Sequence, residues 1–217
     1  KGNIAIDHYI VNSENFNKKI KQFLEKKYEV IIFDNNPVSS NSKKWNSITR
    51  VFAKKLLSHN SSFLIIPGPE VEVETLNKYL KIIDLEAIQL LNKSQSNENW
   101  EFSNRWHNIF SNNKNLELKP SSYPPQIPAF QLKADLKNTK TKVHAKYVDL
   151  DETNPLIIFG EKKLIRYAVW NSINLASLKY SLADSDFNFL FENSLKLVTN
   201  WLMKKHDNSE FVFRTNK

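Results

Sequence analysis

The sequence predicts an α/β domain, a mainly parallel sheet flanked by helices with antiparallel strands added in the C-terminal half. Three observations predict it. Short apolar runs at residues 4–6, 28–33 and 63–66 recur about every thirty residues. Stripes of apolar residues at helical spacing fill the gaps between them. Beyond residue 129 several apolar runs follow one another closely, and a long helical stripe comes only near the end. Strands alternating with helices build parallel sheets, because each helix carries the chain back across one face.

Residues 4–6 read as a short buried strand, and Asn12 or Ser13 can cap a helix with the stripe Phe16, Ile20, Phe23, Leu24. Residues 28–33 read as a second buried strand, ended by Asp34-Asn35-Asn36-Pro37. Trp45, Ile48, Val51, Phe52 and Leu56 mark the next helix, which leads into a strand at 63–66. After the turn Pro67-Gly68-Pro69-Glu70, residues 73–83 read as a helix with Leu76, Leu80 and Ile83 inward. Residues 1–91 thus form a βαβαβα part. The 92–128 stretch is an irregular connector, in which Trp100, Phe102, Trp106, Ile109 and Phe110 pin a polar loop to the body. Its end, Tyr123-Pro124-Pro125-Gln126-Ile127-Pro128, is held extended because each proline restricts the residue before it. In the 129–217 part, residues 130–136 and 142–148 read as strands, and 156–159 with 164–170 as a hairpin closed by Gly160-Glu161-Lys162-Lys163. A last helix starts near 184–186 with the stripe Phe187, Leu190, Phe191, Leu195, Val198, Trp201, Leu202, and Phe211-Val212-Phe213 follows as an extended apolar stretch.

The 217 residues, 41% hydrophobic, suffice for one domain with a real core. No apolar run approaches the roughly 20 residues a membrane-spanning helix needs. The chain begins at Lys1 with no initiator methionine and no signal-peptide pattern, and the expectation is a piece of something longer. Without cysteine there are no disulfides, thiolate metal sites or cysteine nucleophiles. The net charge of +8 comes mostly from scattered lysine pairs, and arginine stands only at 50, 105, 166 and 214. Dispersed pairs suit solvated helix faces better than a nucleic-acid groove.

With glycine only at 2, 68 and 160, a dinucleotide fingerprint, a phosphate-binding loop and a Gly-x-Ser-x-Gly elbow are all excluded. No cofactor is expected. The strand-turn-helix junction at Pro67-Gly68-Pro69-Glu70 has no Ser, Thr or Cys at its apex, and its prolines remove two backbone donors. It reads as a rigid cap, with Glu70 placed for the following helix dipole. Asp7-His8 and Asp34 both follow predicted strands. With Glu70 they give the one acid–base set worth naming, His8, Asp34 and Glu70 at the carboxyl edge of the sheet. The alternative is that Asp and Asn merely end strands. Histidines at 8, 59, 107, 144 and 206 show no metal-binding spacing, so no metal site is expected; His59 and His206 fall near helix ends.

The stretches YEVIIFD, FLIIPGPEVEVETLN, SYPPQIPAF, NPLIIFGEKKLIRYAVWNS and NWLMKKHDNSEFVFRTN, taken in that order, span most of the chain. They resemble the central domain of large envelope proteins of Bacteroidetes-type bacteria, related to von Willebrand factor type A proteins. The resemblance implies a flavodoxin-like or class I glutamine amidotransferase-like fold. The amidotransferase nucleophile is a Cys at the elbow, where this chain has Pro-Gly-Pro-Glu, so a catalytically inactive relative is implied. Asn171-Ser172 also stands where the family commonly carries glycine. The expectation is a non-catalytic interaction or scaffold domain of an envelope-anchored protein, facing the periplasm, whose partners are proteins or other domains of the same chain. On this reading membrane attachment lies in segments outside this sequence. Two alternatives stand beside it, a hydrolase-type enzyme using His8, Asp34 and Glu70, and a basic surface for nucleic acid or anionic lipid.

Overall fold

The computed structural model describes residues 5–9, 14–36, 42–90, 97–103, 123–133, 141–148, 154–182 and 188–203. Its helices are α1 (Glu14–Glu25), α2 (Ser42–His59), α3 (Val73–Leu80, continued as a 3-10 turn over Lys81–Ile83), α4 (Leu175–Leu182) and α5 (Asn188–Met203). Its strands are β1 (Val30–Asp34), β2 (Ser62–Ile66), β3 (Ala87–Ile88), β4 (Trp100–Phe102), β5 (Gln131–Leu132), β6 (Lys142–Tyr147), β7 (Pro155–Lys162) and β8 (Ile165–Trp170).

Among the described residues six strands form one mixed sheet in the order β1-β2-β8-β7-β6-β4. The β1-β2 and β2-β8 pairings are parallel, and the remaining three are antiparallel. The α/β class and the antiparallel strands of the C-terminal half are as the sequence predicts. β3 and β5 pair separately.

Alternation along the central strands divides the core in two. Phe63 and Ile65 of β2 with Ile165, Tyr167 and Val169 of β8 face Phe52, Leu56, Leu76 and Leu80 from α2 and α3. Leu64, Ala168 and Trp170 face the other way, onto Leu178, Leu197, Val198 and Leu202 from α4 and α5. Both faces of β2 and β8 are therefore covered, which is why these strands read as continuous apolar runs. The α3 reading holds in detail, since Leu76, Leu80 and Ile83 are all buried.

Several expectations are corrected. Of the strand expected over 4–6, Ile4 lies outside the described residues, residues 5 and 6 form none, and Ile6 is 83% exposed. β1 is an edge strand whose Ile32 is 50% exposed while Ile31 and Phe33 are buried, so it is not buried on both sides. Val51, assigned to the inner stripe of α2, is exposed. Trp100 and Phe102 belong to a strand at the far edge of the sheet, where Trp100 stacks on Tyr123 at 4.5 Å and its Nε1 donates to the Pro124 carbonyl at 3.0 Å. The hairpin turn is Lys163-Leu164, with Lys163 taking the positive φ of 56° that a tight two-residue loop demands. Gly160 and Glu161 instead lie inside β7, opposite Tyr167 and Arg166. The strand expected over 130–136 is described only as Gln131–Leu132. Helix α4 was not foreseen. The side chains of Phe16, Trp45 and Leu190, and residues Asn12, Ser13, Trp106, His107, Ile109, Phe110, Phe187, His206 and 211–213, lie outside what is described.

Arg166 ties α5 to the sheet. Its side chain is almost fully buried, bonds the Glu161 carboxylate at 3.0 Å and donates to the Trp201 carbonyl at 3.1 Å, with its guanidinium 4.4 Å from the Trp201 ring. Planarity and a fork of donors suit arginine to this place, where it satisfies a carbonyl near the helix end and stacks on an aromatic face at once.

Candidate functional site

Because β1, β2 and β8 run parallel, their carboxyl ends share one edge, where open α/β sheets bind ligands. Asp34 ends β1 in register with Ile66, and Ile66 opens into Pro67-Gly68-Pro69-Glu70. Asp34 and Glu70 therefore come to the same edge, and both are exposed.

The junction between them is packed by the Asn35 side chain lying on the Gly68 backbone. Asn35 takes a left-handed φ of 46°, which asparagine tolerates better than most residues, and donates its N–H to the Ile66 carbonyl at 2.9 Å. Its side chain lies directly on Gly68, where a Cβ would fall 1.5 Å from the Asn35 Oδ1. Gly68 is thus required by a close approach, and Pro67 and Gly68 are buried. Helix α3 begins at Val73, so Glu72 at its N-cap and Glu74 in its first turn stand nearer the dipole than Glu70 does. Asn36, only 7% exposed, presents an Oδ1 without a hydrogen-bond partner among the described residues. Gly68→Ala is expected to lower stability by about 1 kcal/mol as Asn35 is displaced. In the background of Asn35→Gly, which keeps the left-handed turn and removes the obstruction, the same change should cost almost nothing. Urea titration of the two single variants and the double checks this; additive losses would exclude the contact.

At the end of β8 a polar cluster clasps the proline-containing segment. Asn171 Oδ1 accepts the N–H groups of Ala129 and Phe130 at 3.0 and 3.2 Å, and its Nδ2 donates to the Phe130 carbonyl at 2.8 Å and Asn154 Oδ1 at 3.1 Å. Ser172 Oγ donates to Gln126 Oε1 at 2.8 Å, and Asn174 Oδ1 accepts the Ile127 N–H at 3.0 Å. Tyr147 donates its hydroxyl to the Asn171 carbonyl at 2.6 Å, and burial raises its pKa well above the ordinary value. Gln126 and Ser172 are fully buried. Each group here is used to hold another part of the chain, the Ser172 hydroxyl included. Sequence reasoning passed over these residues, since Asn and Ser after a strand ordinarily read as turn formers.

His8 lies elsewhere. Its neighbours fasten the 5–9 segment near the amino end of β1, where Asp7 pairs with Lys26 at 2.5 Å and accepts the Tyr28 hydroxyl at 2.9 Å, and Tyr9 meets Tyr28 at 2.7 Å. β1 alone spans about 13 Å from that end to Asp34. The hydrogen bond from Lys26, then that from Tyr28, holds the Asp7 carboxyl below its ordinary range, and Asp7 in turn raises Lys26. His8 is exposed. The structure brings Asp34 and Glu70 to one edge and ties the residues flanking His8 near the other. His144, in β6, packs its ring 4.3 Å from Phe159. Among the described residues no three His, Asp or Glu side chains are grouped to hold a metal ion, and no helix is long and apolar enough to cross a membrane.

No protein-family model, curated protein or solved structure matches this chain.

Proposed function

We propose that this chain is a non-catalytic interaction or scaffold domain, a degenerate member of the amidotransferase-like α/β group, and part of a larger envelope-anchored protein of a bacterium, with its partners among proteins or neighbouring domains. One observation carries the reading. The carboxyl edge of the parallel strands, the usual place for chemistry in such sheets, is closed by Asn35 lying on Gly68 at β1-β2 and by the Asn171-Ser172 clasp at β8. The resemblance in the stretches around residues 63–77, 122–130 and 154–172 supports the same view, because it implies an elbow that has lost its nucleophile. The periplasm-facing placement rests on that resemblance alone.

The test is direct. Purified chain is assayed for ammonia release from glutamine and for hydrolysis of activated ester, phosphoester and glycoside substrates, beside Asp34→Asn, Glu70→Gln and His8→Ala. The expected result is turnover no faster than the buffer blank for all four proteins. Turnover above the blank that falls in Asp34→Asn or Glu70→Gln would overturn the proposal in favour of an acid–base enzyme.

A further inference from the structure

Three elements meet at the end of the sheet remote from Asp34, namely the last turn of α1, the last turn of α2 and the 5–9 segment. At their centre is Lys55 of α2, only 4% exposed. Its Nζ donates to the Leu24 carbonyl at 3.0 Å and the Lys26 carbonyl at 2.5 Å, and its third N–H is met by His59 Nδ1 at 3.4 Å. An ammonium has three donors, and all are placed. The rings of Phe23 and Tyr28 stand 5.1 and 5.4 Å from the same nitrogen. The two carbonyls belong to the end of α1, where carbonyls lack helical partners and a cation is welcome. Lys26 and Tyr28, just beyond, are the residues that hold Asp7, and Tyr28 and Phe23 hold Tyr9. One lysine therefore fixes the peptide that fixes the 5–9 segment.

We propose that Lys55 and His59 form a pH-sensitive fastening that secures the end of α1 and the 5–9 segment at neutral pH and loosens both in mildly acidic solution. His59 contributes an acceptor to Lys55 only while its ring is neutral with the proton on Nε2. A protonated ring offers no lone pair at Nδ1 and sets a second positive charge beside the first, with Lys27 adding a third nearby.

The sign follows from the same groups. Burial first, then Lys55 and Lys27, hold His59 below its ordinary value of 6.5. Between the lowered value and 6.5 the unfolded or detached state binds the proton more readily, so the fastening is at full strength above 6.5 and weakens as pH falls below it. The other groups facing the cluster do not change charge in this window. Asp7 is lowered from 3.8 and stays ionised, Lys26 is raised from 10.5 and stays charged, and burial raises Tyr28, which stays neutral. Burial lowers Lys55 from 10.5, but only its charged form uses all three acceptors. His8, beside Asp7, is the one other histidine on these elements and supplies the control.

The experiment is amide hydrogen exchange on the whole chain at about pH 7.5 and about pH 5.5, corrected for intrinsic rates, across the range in which histidine changes charge. Protection of residues 22–28 is expected to fall several-fold at the lower pH while that of α5 holds. His59→Gln, which cannot gain the charge, should abolish the response, and His8→Gln should keep it. Lys55→Met should lower protection at both pH values. The proposal is overturned if the wild-type chain shows no response, if the response survives in His59→Gln, or if it disappears in His8→Gln. An NMR titration of the wild-type His59 ring gives a readout independent of any variant's folding, and a midpoint at or above 6.5 would also overturn it.

Discussion

Replacing Asn171 by leucine is expected to cost about 3–5 kcal/mol of folding stability, the upper range for a single substitution. The side chain is 2% exposed and bonds both N–H groups of Ala129 and Phe130, the Phe130 and Pro155 carbonyls and Asn154 Oδ1. Leucine has a similar volume, so the loss comes from stranding buried backbone donors rather than from a cavity. Each stranded group costs about 1–3 kcal/mol. Denaturant unfolding should show a lower midpoint, and exchange protection at residues 129–130 should fall before that of β2. A loss under about 1 kcal/mol would show that water replaces the clasp and that the segment is not held by it.

Gly160→Ala is expected to cost about 2–3 kcal/mol, at the high end for a methyl group forced into a packed site. A Cβ at this position would stand 2.1 Å from the Tyr167 hydroxyl and 2.3 Å from Cζ. Tyr167 cannot step aside freely. It is 2% exposed, stacks on Phe63 at 6.2 Å and shares a hydrogen bond with Thr141 at 2.7 Å. The ring is fixed from both ends, so the added methyl must break one of these contacts or open the hairpin. In the background of Tyr167→Leu, which removes the obstructing ring end, the same alanine should cost under about 0.5 kcal/mol, a coupling that a double-mutant cycle measures. Additive losses would place the cause in β7 itself.

The parallel half of the fold was legible because burial on both faces leaves unbroken apolar runs, and because the α3 stripe Leu76, Leu80 and Ile83 has helical spacing and is fully used. The same logic misread β1. A run of four apolar residues looks alike at the centre and at the edge of a sheet, and only the structure shows Ile32 at 50% exposure. Of the strand expected at residues 4–6, the described residues 5 and 6 form none, and the placing of His8 at the carboxyl edge rests on that strand. Asp34 and the turn that carries Glu70 come to one edge because β1 and β2 are adjacent and parallel. Helix α4 escaped notice because its leucines at 175, 178 and 182 span only about two turns. The clasp was illegible for a different reason. Its partners in the proline-containing segment lie 41 to 47 residues away in the chain, and nothing local in Asn-Ser distinguishes a turn former from the hub of a buried network.

The register that joins Phe63 to Tyr167 has a consequence for the chain as it is made. β8 emerges about 100 residues after β2, so at roughly 5–20 residues per second the newly synthesised β2 waits on the order of 5–20 s for its second neighbour. During that wait Phe63-Leu64-Ile65-Ile66 offers one open side to any other extended chain. Pro67 and Pro69 stand at its end, and neither can donate to a growing ladder. The turn that follows β2 in the finished molecule thus also limits how far a wrong partner can zip along the strand before the right one arrives.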